Sequence, residues 1–155
     1  MAPRKKSKKF EDIVKTELIE VENTLVYRLP DQLSGFKNST NISDFYFYNY
    51  PNLFFLECKS THEKRFYFRQ LTTHQYEGML KAVEVDGVKA GVIIWFVGDR
   101  KLVYISIQNM KKMKDAGLIS ITPDKLELGK IVPSEVLKIF PRFDGKDLIT
   151  LAREV

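Results

Sequence analysis

Hydrophobic and polar positions alternate most regularly over residues 43–75, which predicts two short strands, a basic loop and the start of a helix. Pro51 marks a tight turn between two aromatic, apolar runs, so the strands form a β-hairpin. If the loop is centred on Tyr50 and Pro51, Asp44 lies opposite Glu57. The other face of the hairpin is apolar and is predicted to be core: Phe45, Phe47, Phe54, Leu56 and Cys58.

Helical and strand periodicities alternate along the rest of the chain. The continuous apolar run 90–97 is typical of a central strand covered on both faces. It follows a strand and a helix, so a right-handed crossover should place it parallel to a neighbour in the same sheet. The stretch 132–140 is ambiguous. The predicted elements are a helix over 10–22, strands over 24–29 and 102–107, a helix that is capped by Thr72 or Thr73 and ends before Gly87, and helices over 108–116 and 146–154.

Two carboxylates and an ammonium group should converge on one face of the hairpin. Strand side chains alternate with period two, so Glu57 and Lys59 project on the same side as Asp44. Opposed Cβ atoms lie roughly 4.5–5.5 Å apart, and like charges placed there destabilise a sheet. A divalent ion bound by both carboxylates would remove this repulsion and supply a Lewis acid. The alternative is a surface charge cluster without a metal, since Glu-x-Lys is a common tripeptide.

Composition narrows the class of protein. A chain of 155 residues can bury enough apolar surface to fold as one domain without structural metal ions or disulfides. The lone Cys58 fits a reducing cytoplasm, and one cysteine with two histidines cannot build a structural zinc site. The longest apolar run, 92–97, is far too short to span a bilayer. We therefore expect a cytoplasmic protein with no membrane partner.

A formal net charge of +5 makes nucleic acid a plausible partner. Segment 1–9 is predicted to be a disordered basic arm, and 10–155 a single domain. Basic residues also interleave with aromatics after the hairpin, as suits phosphate contact. For the basic arm, the alternative is a solubilising tail. For the basic segment after the hairpin, the alternative is an edge strand that carries charged residues. The lysines of helix 108–116 suggest a solvated face. The candidate DNA-binding residues are Arg4, Lys5, Lys6, Lys8, Lys9, Arg28, Lys37, Lys64, Arg65, Arg69 and Arg142.

Several short motifs resemble those of a known nuclease family. Asp44, the Glu57-Cys58-Lys59 tripeptide and the His74-Gln75 pair at the next helix start resemble the PD-(D/E)xK nuclease signature. In detail they are similar to the RecU family of Holliday junction resolvases. The resemblance extends to Phe10-Glu11-Asp12, Arg28-Leu29-Pro30 and Pro141-Arg142-Phe143-Asp144.

The resemblance implies a restriction-endonuclease-like α/β fold, in which a mixed central β-sheet is flanked by α-helices. It also implies a homodimeric, metal-dependent endonuclease that resolves four-way DNA junctions in recombination and repair. Mg²⁺ or Mn²⁺ would be held by Asp44, Glu57 and the backbone carbonyl of Cys58. A first-turn glutamate such as Glu11 also commonly complements a helix dipole. The implied catalytic residues are Asp44, Glu57, Lys59, Gln75 and Glu11.

One departure from the family keeps two rival functions open. RecU-like enzymes usually carry a longer basic insertion before the first carboxylate, whereas segment 31–42 has Lys37 as its sole base. The same nuclease chemistry could therefore serve another DNA structure or a specific sequence. A non-catalytic nucleic-acid-binding module is the other alternative.

Overall fold

The computed structural model describes residues 2–30, 41–137 and 140–154, with the side chains of 2–8 and Leu137 left out of the description. The helices are α1 (Ala2–Ile19), α2 (Thr73–Ala82), α3 (Ile107–Asp115) and α4 (Gly145–Arg153). The strands are β1 (Thr24–Arg28), β2 (Phe45–Asn49), β3 (Asn52–Thr61), β4 (Phe66–Tyr67), β5 (Val88–Phe96), β6 (Lys101–Ser106), β7 (Ser120–Ile121), β8 (Lys130–Ile131), β9 (Ser134–Leu137) and β10 (Phe140–Phe143). A 3-10 turn, Phe68–Gln70, joins β4 to the start of α2.

The central sheet is mixed and has six strands in the order β1-β2-β3-β5-β6-β8. Strands β3 and β5 are parallel, as predicted for the crossover through α2, and the other neighbouring pairs are antiparallel. The β2–β3 hairpin has the predicted register, in which Tyr46 lies opposite Phe55 and Tyr48 opposite Leu53. The next residue pair outward in this register is Asp44 and Glu57.

Two hydrophobic clusters cover the two faces of the sheet. One cluster joins α1 and α4 to the sheet through Phe10, Leu18 and Leu148 and contains the apolar hairpin face, which confirms the predicted core residues. The other contains Met79 of α2 and Met110 of α3. Strand β5 is buried on both sides, with Trp95 in the first cluster and Ile94 in the second. The sheet therefore lies between two helical layers.

Two segments differ from the sequence-based expectation or extend it. Helix α1 begins at Ala2, within the segment that was predicted to be a disordered arm. Lysine and arginine have high helix propensity, so this basic segment can continue the amphipathic helix that follows it. The ambiguous stretch 132–140 contributes β9, which pairs with β10 in a separate two-stranded sheet. No helix in the described ranges is long and apolar enough to cross a membrane.

Candidate active site

Asp44 and Glu57 come together because the hairpin holds them at the same end of β2 and β3. Asp44 immediately precedes β2, and its Oδ2 accepts a hydrogen bond of 2.8 Å from the backbone N–H of Cys58. Glu57 lies within β3, with the side chain only 4% exposed. The carboxyl group of Asp44 is thus fixed by the backbone of the residue next to Glu57.

The two oxygens of Glu57 have different surroundings. Oε2 accepts a hydrogen bond of 2.9 Å from Gln75 Nε2 and lies 3.1 Å from the ammonium nitrogen of Lys59. Oε1 is buried and has no hydrogen-bond partner among the described residues. A buried carboxylate oxygen without a partner is costly, because it has lost its hydration. One oxygen is therefore oriented by two donors, and the other is left for a further ligand.

Gln75 is positioned by the start of α2. Thr72 is the N-cap, and its side chain accepts a hydrogen bond from the backbone N–H of Gln75. The side-chain oxygen of Gln75 in turn accepts from the backbone N–H of Thr72 at 3.1 Å. This reciprocal capping box fixes the amide, so that its NH₂ group points at Glu57.

The electrostatic cost of this arrangement appears at Asp44. Burial, with the nearby Glu57 carboxylate as the second cause, raises the pKa of Asp44 to about 7. The hydrogen bond from Cys58 and the charge of Lys59 oppose this shift without cancelling it. Asp44 is therefore partly protonated at neutral pH when no cation is bound.

The residues fit a hard divalent cation. Two carboxyl groups lie side by side, one with an unpartnered buried oxygen and one with a raised pKa. In the described part of the chain, no three His, Cys, Asp or Glu side chains form a metal-binding group. Mg²⁺ commonly binds through one or two carboxylates and retains several waters, so two carboxylates meet its needs.

Glu11 lies near this centre but is paired with a cation. Its Oε2 is 2.5 Å from the guanidinium of Arg28, across α1 and β1. The pKa of the buried Cys58 thiol is raised first by burial and then by the charges of Asp44, Glu57 and Glu11. The Glu11–Arg28 pair therefore lies close enough to act electrostatically on Cys58. Sequence reasoning gave both residues separate roles and missed their pairing, since nothing in the sequence links positions 17 residues apart.

The predicted DNA-binding residues are only partly brought together. Lys64, Arg65 and Arg69 are exposed in the segment between β3 and α2. Arg65 donates a hydrogen bond of 2.9 Å to the hydroxyl of Ser120, and Lys9 lies over the ring of Phe140. The side chains of Arg4, Lys5, Lys6 and Lys8, and all of Lys37, lie outside the described part of the structure.

Arg142 lies in a different environment. It is 3.1 Å from Glu17 and lines a cavity of about 670 Å³. Three further acidic residues and one further base line the same cavity: Glu20, Glu135, Asp144 and Lys146. The pKa of Glu17 is raised by burial, although Arg142 opposes the shift. A phosphate at this position would meet several carboxylates, so Arg142 is a poor candidate for DNA contact.

Comparison with known proteins establishes the fold. No protein-family model matches the chain, and no curated protein matches its sequence significantly. Among solved structures, it is similar to Archaeoglobus fulgidus Hjc, a Holliday junction resolvase from an archaeal hyperthermophile. The TM-score is 0.54 at 17% identity, covering 80% of this chain and 94% of the archaeal one. The fold is thus restriction-endonuclease-like, with a mixed central sheet flanked by helices, whereas membership of the RecU family stays a prediction.

Proposed function

We propose that this protein is a metal-dependent endonuclease that cuts the phosphodiester backbone of branched DNA, with the four-way junction as its substrate. The observation that carries the proposal is the pair of carboxyl groups of Asp44 and Glu57, held together in a largely buried site with one oxygen unpartnered. The resolvase fold of the archaeal neighbour supports the choice of junction DNA.

Asp44, Glu57 and the backbone carbonyl of Cys58 would hold Mg²⁺ or Mn²⁺. When bound, the ion would polarise the scissile phosphate and lower the pKa of the attacking water. Glu57 is kept in a single orientation by Gln75 and Lys59, so little reorganisation is needed when a ligand reaches Oε1.

Lys59 would act on the phosphate directly. The side chain of Lys59 is 25% exposed. In the described part of the chain, its ammonium group contacts one oxygen of Glu57. An ammonium group carries three donors, so Lys59 can keep this contact and still donate to a phosphate oxygen or the attacking water. Gln75 would be a positioning residue, since its amide is committed to Glu57 and to the α2 cap.

A four-way junction has two strands to cut, and a symmetric substrate favours a two-fold homodimer. We include this assembly in the proposal. The test is incubation of an end-labelled mobile junction with the protein, in Mg²⁺ and in EDTA. Paired symmetric nicks that form only with metal are expected, and equal cleavage in EDTA would contradict the metal requirement.

A second candidate is the same chemistry on flaps, nicked duplexes or a specific sequence. The observation that favours it is the segment 31–42, whose only basic residue is Lys37. Competition between the labelled junction and excess linear duplex separates the two candidates. Cleavage of the junction that survives the excess duplex supports the junction as substrate, whereas loss of this cleavage in the same excess supports the broader target.

A further inference from the structure

A pocket outside the carboxylate centre lies where the 3-10 turn meets the loop that follows α3. Its volume is about 350 Å³. Strands β4 and β7 pair beneath it, and the backbone N–H of Phe68 donates to the carbonyl of Ile119 at 2.9 Å. These hydrogen bonds hold together two segments that are distant in sequence. Its principal lining residues are Tyr67, Phe68, Arg69, Lys114, Leu118 and Ile119.

The surface of the pocket combines an aromatic ring with exposed aliphatic side chains. Ile119 is 67% exposed and Leu118 is 37% exposed, although both are large and apolar. Phe68 is buried and Tyr67 is half-buried. A flat, apolar ligand that lies on Leu118 and Ile119 would cover this surface, and a nucleobase has this shape.

The charged groups of the pocket are cationic. The guanidinium of Arg69 lies 4.6 Å from the ring centre of Tyr67, and the ammonium of Lys114 lies 3.8 Å from that of Tyr76. No acidic residue lines the pocket in the described part of the chain. Asp115, the next residue after Lys114, is paired with Lys111 at 2.6 Å. The pocket therefore complements an anionic group attached to a flat apolar one.

The pocket is linked to the carboxylate centre through the chain. Tyr67 and Arg69 belong to the segment that joins β3, which carries Glu57, to α2, which carries Gln75.

We propose that this pocket binds an unpaired nucleotide of the DNA substrate, with its base against Leu118 and Ile119 and its phosphate at Arg69 and Lys114. The inference rests on the proposed function, which supplies DNA as the ligand. It deepens that function because it assigns a subsite for single-stranded DNA in addition to the carboxylate centre. Sequence reasoning gave Arg69 a phosphate contact but treated Lys114 as part of a solvated face, because only the fold brings the two together.

The test measures binding of fluorescein-labelled oligothymidylate by anisotropy, in EDTA so that cleavage cannot occur. The variants are Ile119→Asp and Lys114→Gln. The matched controls are Val85→Asp, at a residue that is 61% exposed after α2, and Lys81→Gln, in the last turn of α2. Val85→Asp is the control for Ile119→Asp, and Lys81→Gln is the control for Lys114→Gln. Both control residues lie near the C-terminal end of α2, whereas Gln75 lies near its N-terminal end.

Ile119→Asp should weaken binding at least about fivefold, because it replaces an apolar contact with the base by a negative charge that repels DNA. The logarithm of the association constant falls as the logarithm of the salt concentration rises. Lys114→Gln should make this slope less negative by about 0.7, the value for the loss of one phosphate contact on a single strand. The controls should bind within about twofold of the wild type. A duplex of equal length should be affected less than oligothymidylate by Ile119→Asp.

Three results would overturn the proposal: no oligothymidylate binding by the wild type, equal binding by variants and controls, or an equal loss for duplex and single strand. A change in oligomeric state of Ile119→Asp without loss of binding would also overturn it and assign the surface to a second copy of the chain. Junction cleavage in Mg²⁺ is measured separately. Absence of cleavage with the expected binding pattern would refute the nuclease and leave the nucleotide subsite standing.

Discussion

Replacing Asp44 by asparagine should stabilise the metal-free protein, and the gain should grow as the pH rises. The pKa of this carboxyl is about 7 in the folded protein, against an ordinary value of 3.8. The folded state thus binds the proton more tightly than the unfolded state does. This tighter proton binding contributes to the free energy of unfolding. The contribution is fully present below pH 3.8 and is lost as the pH rises through about 7.

The magnitude follows from the shift. Each unit of pKa difference corresponds to about 1.36 kcal/mol, so the wild type should lose about 2–3 kcal/mol of unfolding free energy from this group between pH 5 and pH 8. The substituted amide would carry no charge, and its oxygen can still accept the hydrogen bond from the backbone of Cys58. The stability difference between Asp44→Asn and the wild type should therefore widen by that amount over this range.

The assay is urea unfolding in EDTA at pH 5 and pH 8, followed by the fluorescence of Trp95, the single tryptophan. Asp12→Asn is the control, because Asp12 is exposed on α1. It should show no such widening. Parallel curves of stability against pH for the wild type and Asp44→Asn would refute the reasoning that burial of the Asp44 carboxyl group, beside Glu57, destabilises the metal-free site.

Three further substitutions test the supporting structure. Gln75→Ala should lower single-turnover cleavage at least about tenfold, since Glu57 loses a donor that orients it; unchanged cleavage would exclude the positioning role. Arg153→Met should lower the unfolding free energy in urea by about 2–4 kcal/mol, because its guanidinium donates to backbone and side-chain oxygens at the β2–β3 turn. Gly91→Ala should lower the thermal midpoint, at a cost of about 2–3 kcal/mol, since its Cβ would lie 2.6 Å from a carbonyl oxygen of β6. Gly98→Ala is the control for this change, because the nearest atom to its Cβ is 3.7 Å away, and an equal loss of stability in both would contradict the steric explanation.

The hairpin could be predicted from sequence because two independent signals agree on it. Pro51 fixes the turn, and the aromatic alternation allows only one register that keeps Asp44 out of the core. The start of α2 was also predicted, and the structure adds that Thr72 and Gln75 form a capping box there. Local signals thus sufficed to place the carboxyl groups and the lysine on one hairpin face and Gln75 at a helix start, whereas the contact between Gln75 and Glu57 depends on the fold.

The parts that could not be predicted depend on contacts between distant segments. Arg142 looked like a free cation, yet it pairs with Glu17 of α1 beside an acid-lined cavity. The β9–β10 hairpin was ambiguous because its strands are short and pair only with each other. A basic side chain shows its charge in the sequence, but the neighbours that neutralise it are set by the fold.

The most direct test of the account is junction cleavage in Mg²⁺ by the wild type, Asp44→Asn and Glu57→Gln, with Asp12→Asn as the control. Both site variants should still bind the junction, because they remove negative charge and no cation. We expect paired nicks from the wild type and the control, and no detectable cleavage from either site variant. Undiminished cleavage by Asp44→Asn or Glu57→Gln would contradict the claim that these two carboxyl groups form the catalytic centre.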